Sequence, residues 1–465
     1  MSGVFGVISS EECIEDLLYG TDYQSHLGTE RGGLATLNHE GFHRKIKDIS
    51  KGAQLKSLFV GDYFPGQSGI GVISDRDPQP LIIGSRHGDF AIVMAGRIVN
   101  LEELAADYKK KGRSFIEMSD THVNQVELAA KIIVEGESIE DGIRNLWEQI
   151  EGSASFLILG HEGLYVARDR WGRFPLTLGQ KAGAMAVASE PFAFQNTGFQ
   201  EIWELQPGQI TLLNVHGFET LRQGNPANLR ICSFLWIYAG YPASVYEGVS
   251  VAEARIRCGE VLATRDSDSR LEADQVAGVP DSGRYHAQGY AAQSKLPLIE
   301  VLSKYTPGYG RSYTPPSQET RDLIARMKLI AMPELIANKR IVILEDSIVR
   351  GTQLKNQTIR KLWEAGAKEV HLRPACPPLL FPCRYALSTL SGDELMARRA
   401  IKALEGDFSD SDIEEFFAGQ EKYQEMVEWI RQELGLTSLR YQLLADMIYA
   451  IGLPANKLCL YCWTG

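Results

Sequence analysis

The sequence predicts a protein of two domains, an antiparallel α+β domain followed by a parallel α/β domain. With 465 residues, the chain is longer than one ordinary hydrophobic core holds. Residues 1 to about 215 consist mostly of short apolar runs between glycine-rich turns, a pattern typical of antiparallel strands. Between about 250 and 375, apolar runs alternate with segments of helical periodicity, which indicates a parallel sheet.

The composition is that of a globular protein and excludes several classes of function. Hydrophobic residues make up 44% of the chain and charged residues 23%. The formal net charge of -11 argues against a nucleic-acid partner. No apolar run is long enough to predict a membrane span, and the start lacks the basic and apolar regions of a signal peptide. We therefore expect a cytoplasmic protein without a membrane partner.

The first element is a strand that begins almost at the start of the chain. In "MSGVFGVIS" the apolar run Val4 to Ile8 predicts a buried strand. Further strands are predicted in "GIGVIS", "DFAIVMAGRIVN", "ASFLILGHEGLYVARDR" and "AMAVASE", and a helix near "THVNQVELAAKIIVEG". The last 90 residues look helical and acidic.

The most informative stretch of the second half is "RIVILEDSIVRGTQLKNQTIRKLWEAGAKEVHL". A buried strand is predicted from Ile341 to Leu344, and the following helix ends at Gly366. The loop between them offers backbone N–H groups, hydroxyls and a helix N-terminus to a phosphate. Glu345 and Asp346, just before this loop, can hold ribose hydroxyls or a magnesium ion. The alternative is that the two carboxylates only cap a turn.

Seven cysteines in a long cytoplasmic chain do not predict a disulfide framework. Only Cys459 and Cys462 form a C-x-x-C pair, in "KLCLYCWTG" at the end of the chain. A thioredoxin-type motif is followed by a helix, whereas this sequence stops three residues later. We therefore interpret the pair as metal or iron–sulfur ligands that need two more thiolates.

"VILEDSIVRGT" resembles the 5-phosphoribosyl-1-diphosphate (PRPP) signature of type I phosphoribosyltransferases, in the form found in the glutamine amidophosphoribosyltransferase family. "GVPDSG", "GYGRSYTPPSQ", "RMKLIAM", "VAEAR", "ARDRWGRFPL" and "LQPGQI" resemble further motifs of that family, in the same order. The resemblance implies an N-terminal nucleophile hydrolase-like α+β sandwich over residues 1–230, followed by an α/β type I phosphoribosyltransferase domain over residues 231–465. This second domain would carry a C-terminal helical extension and a cluster-binding tail.

The resemblance also implies site residues. The PRPP-binding set would comprise Glu345, Asp346, Ser347, Arg350, Gly351 and Thr352, with Asp281 and Ser282 near the diphosphate. Arg311 and Lys328 would be the cations that meet the leaving diphosphate, and Glu345 and Asp346 would hold Mg²⁺ directly or through water and ribose.

Four cysteines fall where one subgroup of the family holds a structural 4Fe–4S cluster, namely Cys232, Cys383, Cys459 and Cys462. The alternative is four buried thiols without a ligand. We expect the other three, Cys13, Cys258 and Cys376, to be core residues.

In the first half, the residues that the family uses to hydrolyse glutamine are changed. Ser2 takes the place of the nucleophilic cysteine, Ala95 that of the oxyanion-hole asparagine, and Ser74 that of the arginine that binds the glutamine carboxylate. Arg76 lies two places off. The acidic "D-S-E" segment of the family reads here Asp120-Thr121-His122. We therefore predict an inactive glutaminase domain, in which Asp169 and Gly172 remain for structural reasons; the alternative is a hydrolase that uses Ser2, exposed by removal of Met1.

The resemblance implies displacement of diphosphate from PRPP by ammonia, or by another amine, to give phosphoribosylamine or a relative, as in purine synthesis. Ammonia would come from solution or from a partner glutaminase, and a homodimer or homotetramer is expected. The rival from another class is a non-catalytic PRPP-binding regulatory partner of an active homologue. The segment "AGYPAS" at 239–244 and the acidic extension at 391–433 depart from the family pattern.

Overall fold

The computed structural model describes residues 2–49, 55–59, 61–62, 65–119, 122–268, 271–305, 329–386 and 391–465. The chain divides into two compact units. Unit 1 comprises Met1–Cys232, Arg384–Ser388 and Asn456–Cys459, and unit 2 comprises Ser233–Cys383, Thr389–Ala455 and Leu460–Gly465. The predicted domain boundary after residue 230 stays a prediction.

Unit 1 is built on two antiparallel sheets. Its strands are β1 Gly3–Ser9, β2 Arg31–Asn38, β3 Gly41–Asp48, β4 Ser68–Ser74, β5 Leu81–Ile83, β6 Phe90–Ile98, β7 Met118–Ser119, β8 His122–Val123, β9 Gly152–Gly160, β10 Gly163–Ala167, β11 Thr177–Lys181, β12 Ala184–Ala188, β13 Gln200–Glu204, β14 Ile210–Asn214, β15 Gly217–Arg222 and β16 Ile231–Cys232. One sheet has the order β13-β11-β12-β1-β4-β2-β3 and the other β15-β14-β10-β9-β6-β5. The predicted first strand is confirmed as β1, at the centre of its sheet.

The two sheets pack face to face, with helices on both outer faces. Val4 and Val72 from one sheet share a buried cluster with Val93 and Leu157 from the other. The helices of unit 1 are α1 Ile14–Asp22, α2 Leu55–Phe59, α3 Leu101–Lys110, α4 Gln125–Glu135, α5 Ile139–Gln149 and α6 Ala193–Thr197. Residues of α1, α2 and α6 cluster on the outer face of the first sheet, and those of α3, α4 and α5 on the second. The result is a four-layer α+β sandwich, as the fold class predicts.

Unit 2 contains the predicted parallel sheet. The remaining strands of the chain are β17 Val245–Tyr246, β18 Val249–Ser250, β19 Gln275–Gly278, β20 Leu302–Lys304, β21 Leu329–Ala331, β22 Arg340–Glu345, β23 Glu369–Pro374, β24 Ser438–Leu439 and β25 Leu458–Cys459, of which β25 belongs to unit 1. The order β19-β22-β23-β24 is parallel throughout. The carboxyl ends of these strands therefore meet at one edge of the sheet, where α/β folds bind ligands.

Helices cover this sheet and extend beyond it. They are α7 Val251–Ser267, α8 Arg284–Ser294, α9 Pro333–Ile336, α10 Arg360–Glu364, α11 Met396–Glu405, α12 Glu421–Leu434, α13 Leu444–Ile451 and α14 Tyr461–Thr464. The helix predicted after the phosphate loop begins with a wider-wound turn, Leu354–Ile359, before α10, and Gly366 follows with a positive φ of 83°. The helical character predicted for the last 90 residues is confirmed.

Helices α7 and α8 approach each other closely because glycines lie at their contact. A Cβ atom on Gly259 would lie 1.9 Å from the carbonyl oxygen of His286, and one on Gly289 would lie 1.8 Å from that of Ile256. Any side chain at either position would force the helices apart. Within the described ranges, no helix is long and apolar enough to cross a membrane.

Candidate active site

Two adjacent carboxylates lie at the carboxyl end of β22, at the edge of the parallel sheet. Glu345 and Asp346 are buried, with 7% and 6% of their surface exposed. The Ser282 hydroxyl donates a hydrogen bond to Glu345 Oε1 at 2.5 Å, and the Asp346 N–H donates to the same oxygen at 3.1 Å. Burial raises the pKa of Glu345 well above its ordinary value, and the charge of Asp346 raises it further. A proton or a ligand cation would relieve the repulsion between the two groups.

The segment 279–283 is fixed against the end of β22. The Val279 N–H donates to the Leu344 carbonyl at 3.0 Å, and the Gly283 N–H donates to the Val279 carbonyl at 2.8 Å. A Cβ atom on Gly283 would lie 2.1 Å from the Leu344 oxygen, so only glycine permits this approach. The tight turn holds Ser282 beside Glu345.

Asp281, in the same turn, points to exposed cations rather than to the buried pair. Its carboxylate contacts Lys304 Nζ at 2.5 Å and an Arg284 nitrogen at 3.5 Å. Lys304 was not among the residues predicted from the sequence. It lies at the end of β20, and a single lysine in an exposed strand carries no signal by which sequence reasoning could have found it.

The predicted phosphate loop, Ser347 to Thr352, follows the carboxylates. The Ser347 hydroxyl donates to Asp346 Oδ2 at 2.5 Å, Gly351 has a positive φ of 74°, and Thr352 is exposed. The loop then enters the helical turn Leu354–Ile359. The structure thus brings six predicted binding residues to one edge of the sheet, with Asp281 and Ser282 in the adjacent turn.

Helix α11 packs against the outside of this loop. Glu394, in the turn before α11, accepts hydrogen bonds from Arg350 Nε at 3.1 Å and Nη2 at 2.6 Å. The Met396 N–H donates to the Val349 carbonyl at 2.7 Å. This contact could not be predicted from the sequence, because more than 40 residues separate Arg350 from Glu394.

Arg311 and Lys328, the predicted diphosphate cations, lie outside the described residues, as do Asp120 and Thr121. Their roles stay predictions from the resemblance.

In unit 1, Ser2 and Ser74 lie at neighbouring positions on the two adjacent strands β1 and β4. Gly3 of β1 is the register partner of Ile73 of β4, and Ser2 and Ser74 are the next residues outward on each strand. Ser74 is buried, and its hydroxyl donates to the Asp77 carbonyl at 2.9 Å. The position that the resemblance assigns to the substrate-binding arginine therefore carries a short side chain that is bonded to its own turn.

The position that the resemblance assigns to the oxyanion-hole asparagine lies within β6. Ala95 of β6 is buried and is the register partner of Ser155. The next residue, Gly96, has a positive φ of 135°, and a Cβ atom there would lie 2.0 Å from the Ser153 carbonyl oxygen. Ala95, which has no side-chain hydrogen-bond donor, thus lies beside a glycine that the backbone requires.

Asp169 has a structural role, as predicted. Its two carboxylate oxygens accept hydrogen bonds from the N–H groups of Trp171 at 3.0 Å and Arg173 at 2.8 Å. Gly172, inside this turn, has a positive φ of 59°. The carboxylate is buried and orders the turn after β10.

Two arginines near Ser74 have nitrogen atoms without a protein acceptor. Arg31 of β2 is the register partner of Ser74, so the two side chains lie on the same face of the sheet. Within the described parts of the chain, Arg31 Nε and Arg76 Nη2 are buried without a hydrogen-bond partner. Buried donors of this kind call for an acceptor such as a ligand or ordered water.

The four cysteines predicted as cluster ligands are half-buried and form two pairs, one in each unit. In unit 1, Cys232 of β16 is the register partner of Cys459 of β25. In unit 2, the Cys462 carbonyl accepts hydrogen bonds from the N–H groups of Leu380 and Phe381, which lie just before Cys383.

Among the residues that the structure describes, no group of three or more His, Cys, Asp or Glu side chains is placed to hold a metal ion. The four-thiolate ligand set is therefore not shown. Cys13, Cys258 and Cys376 are fully buried, which confirms them as core residues.

Comparison with known proteins supports the resemblance along the whole chain. Residues 68–196 match a glutamine amidotransferase domain family. The amidophosphoribosyltransferase of Methanocaldococcus jannaschii is 30% identical over 489 residues, covering 100% of this chain and 97% of the relative. That of Bacillus subtilis is 32% identical over 480 residues, covering 100% of this chain and 93% of the relative.

Solved structures agree. Glutamine phosphoribosylpyrophosphate (PRPP) amidotransferase from B. subtilis, in complex with ADP and GMP, matches with a TM-score of 0.83 and 31% identity, covering 100% of this chain and 96% of that one. A structure described as the allosteric regulatory enzyme of purine biosynthesis matches with a TM-score of 0.83 and 30% identity, covering 100% and 95%.

Proposed function

The chain belongs to the amidophosphoribosyltransferase family, a class of pentosyltransferase enzymes, and on this premise we propose that it transfers phosphoribose from PRPP to ammonia without hydrolysing glutamine. The observation that carries the proposal is the buried pair Glu345 and Asp346, which precedes a phosphate loop at the carboxyl edge of a parallel sheet. Phosphoribosylamine, the product, fits the purine-synthesis role of the relatives.

Each part of this edge suits one part of PRPP. The N–H groups and hydroxyls of the loop 347–352 would bind the 5-phosphate, because successive backbone amides and a helix start attract an oxyanion. Glu345 and Asp346 would orient the ribose hydroxyls, and the turn that contains Ser282 would face the diphosphate. Arg311 and Lys328 would complete the diphosphate site.

The reaction is a displacement at C1 of the ribose. The nitrogen lone pair of ammonia forms the new C1–N bond, the C1–O bond breaks, its electron pair leaves with diphosphate, and the nitrogen releases one proton. Positioning of the two reactants supplies most of the rate enhancement available to such a site.

Mg²⁺ suits the carboxylate pair. The raised pKa of Glu345 reflects burial and the adjacent Asp346 charge, and a divalent cation would offset both. When bound, Mg²⁺ would neutralise charge on the leaving diphosphate. The side chains of Glu345 and Asp346 would hold it, directly or through water and the ribose.

The loss of glutaminase activity is supported by three changes in unit 1. Ser2, Ser74 and Ala95 occupy the positions of the nucleophile, the substrate clamp and the oxyanion donor. Loss of one oxyanion donor alone costs about 100- to 1000-fold in rate. The specific observation that favours the alternative, a glutaminase that uses Ser2, is Arg31, the register partner of Ser74, whose buried Nε has no acceptor among the residues that the structure describes.

The test is diphosphate release from PRPP with Mg²⁺, with either ammonium or glutamine as the nitrogen source. Turnover with ammonium alone is the expected result. Equal turnover with glutamine would show that unit 1 remains a glutaminase. PRPP binding without turnover on either source, or with a panel of other amines, would instead support the non-catalytic regulatory partner.

We also propose that Cys232, Cys383, Cys459 and Cys462 hold a structural 4Fe–4S cluster. Support comes from the register pairing of Cys232 with Cys459 and from the short link of two residues between Cys459 and Cys462. Iron and acid-labile sulfide should each approach four per chain in protein purified without oxygen. The matched control is the core variant Cys13→Ala, which should keep the full iron content, whereas Cys459→Ala should lose it.

We further propose that residues 1–230 form the glutaminase-like domain and residues 231–465 the transferase domain. The enzyme acts in the cytoplasm as a homodimer or homotetramer. Its ammonia comes from solution or from a partner glutaminase, and free ammonium replaces that partner in the assay above. Sedimentation analysis tests the oligomeric state.

A further inference from the structure

We propose that Glu394 is a positioning residue that anchors the phosphate loop through Arg350, and that Arg350 is a structural anchor rather than a phosphate ligand. The inference deepens the proposed function and rests on the binding of PRPP at the loop 347–352. It concerns the segment before α11, to which the sequence pattern assigned no role.

Contacts from the chain around α11 hold the loop from its outer side. Two nitrogens of Arg350 donate to one oxygen of Glu394, at 3.1 and 2.6 Å. The Met396 N–H donates to the Val349 carbonyl at 2.7 Å, and an Arg399 nitrogen donates to the Arg350 carbonyl at 3.4 Å. Three residues of the segment 394–399 thus bond to two consecutive loop residues.

Packing adds to these hydrogen bonds. A Cβ atom on Gly351 would lie 2.5 Å from Met396 Cε, so the methionine lies directly against the glycine. Met396 is buried, whereas the Arg350 and Glu394 side chains are exposed by 60% and 45%. The Arg350 side chain therefore contacts the exposed Glu394, whereas the buried Met396 side chain packs against Gly351.

The direction of the Arg350 side chain decides between two roles. If Arg350 bound phosphate, Glu394 would compete with the ligand, and its removal would strengthen PRPP binding. If Arg350 is an anchor, the loop amides bind the phosphate, and removal of Glu394 releases the loop and weakens binding. Two guanidinium nitrogens of Arg350 donate hydrogen bonds to Glu394 in the absence of ligand. This favours the anchoring role, because a phosphate would have to break these bonds in order to bind Arg350.

A neighbouring ion pair provides a matched control. Lys355, one turn after the loop, contacts Glu433 of α12 at 3.0 Å, and these side chains are exposed by 45% and 36%. Glu433→Gln removes a carboxylate whose exposure is similar to that of Glu394. This carboxylate pairs with Lys355, which follows the loop 347–352 and is not part of it.

The experiment measures the dissociation constant of Mg²⁺–PRPP by calorimetry for the wild-type protein, Glu394→Gln, Arg350→Met, the double variant and Glu433→Gln. We expect Glu394→Gln and Arg350→Met each to weaken binding about three- to fivefold, the size typical of an exposed ion pair. The double variant should be no weaker than either single variant, and Glu433→Gln should match wild type. Tighter binding by Glu394→Gln, or additive losses, would overturn the proposal.

Amide hydrogen exchange of the free protein separates this proposal from the proposed function. Exchange at residues 347–352 should quicken in Glu394→Gln and stay unchanged in Glu433→Gln, whether or not PRPP binds. Unchanged exchange in Glu394→Gln would overturn the anchor. Absence of PRPP binding by the wild-type protein would overturn the proposed function and leave the anchoring of the loop to be decided by exchange alone.

Discussion

The candidate sites of unit 1 and unit 2 both lie where strands of a sheet position side chains. They differ in which of the residues implied by the family resemblance they contain. In unit 2, Glu345, Asp346 and Ser282 form a buried hydrogen-bonded group beside the loop. In unit 1, the corresponding positions are Ser2 just before β1, Ser74 at the end of β4 and Ala95 within β6. Unit 2 carries the residues that we propose bind PRPP, whereas in unit 1 we propose that the residues for glutamine hydrolysis have been replaced.

The difference shows that a fold keeps the residues that its backbone requires, irrespective of chemistry. Gly96 has a positive φ and no room for a Cβ atom, and Asp169 accepts two backbone N–H groups, so both serve the sandwich itself. The side chain of Ala95, by contrast, contributes only its methyl group to the core between the two sheets. Motif residues with a structural role are therefore poor evidence of activity.

The largest expected effect comes from restoring the missing chemistry of unit 1. In a Ser2→Cys background with Met1 removed, Ala95→Asn should raise the rate of glutamine hydrolysis about 100- to 1000-fold, because it returns one oxyanion donor. The measurement is glutamate release. Ala95 is buried, so thermal melting of Ala95→Asn alone must accompany it to detect overpacking.

No gain in the double variant relative to Ser2→Cys, in a protein that melts normally, would contradict the interpretation of Ala95 as the lost donor. It would point instead to Ser74, where the carboxylate-binding arginine is absent, as the change that limits glutamine binding.

The next effect tests the preserved site. Asp346→Asn should lower ammonium-dependent diphosphate release by about 100-fold, because a misplaced ribose loses the alignment of C1 with the nucleophile. The matched control is Asp274→Asn, whose carboxylate contacts Arg340 at the opposite end of β22. A loss in Asp346→Asn no larger than that in Asp274→Asn would show that the buried pair does not orient the substrate.

A smaller effect is expected on the pH dependence of stability, and it concerns a buried polar residue of unit 2 that lies outside the proposed site. His286 of α8 is fully buried, with its ring nitrogens 3.0 Å from the Arg255 carbonyl and 3.2 Å from the Ile237 carbonyl. Burial, followed by the charge of Arg255, lowers the pKa of His286 from 6.5 to about 3. Between these two pKa values, His286 is protonated in the unfolded chain but not in the folded chain. The free energy of unfolding therefore falls as the pH drops below about 6.5.

Between pH 6.5 and 5, this single group should cost ~2 kcal/mol of the free energy of unfolding. Chemical denaturation at pH 7.5 and 5 measures the loss. His286→Gln should be less stable at pH 7.5 but should lose less stability on acidification. An equal loss in wild type and variant would show that other groups govern the acid sensitivity of unit 2.

The sequence predicted the fold well because both units rest on local patterns. The strand Val4 to Ile8 and the strand before Glu345 are short apolar runs, and Gly366 ends a helix with a positive φ. The carboxylate pair and the loop were also predictable, since they are contiguous in the chain. The anchoring of Arg350 by Glu394 was not, because the two residues come together only when α11 packs on the sheet.

The last prediction is that removal of the Ser2 hydroxyl has no effect on the transferase reaction, and it tests the difference between the two sites directly. Ser2→Ala removes the hydroxyl just before β1 at the position proposed for the nucleophile, yet ammonium-dependent diphosphate release should stay within the error of wild type, because the buried pair that we propose orients PRPP lies in unit 2. Glutamine should support no turnover in either protein, and both should melt at the same temperature, since Ser2 precedes the first strand. A glutamine-dependent rate in wild type that disappears in Ser2→Ala would establish the serine as a working nucleophile, and unit 1 would then have to be regarded as an altered glutaminase in which Arg31 replaces the lost clamp.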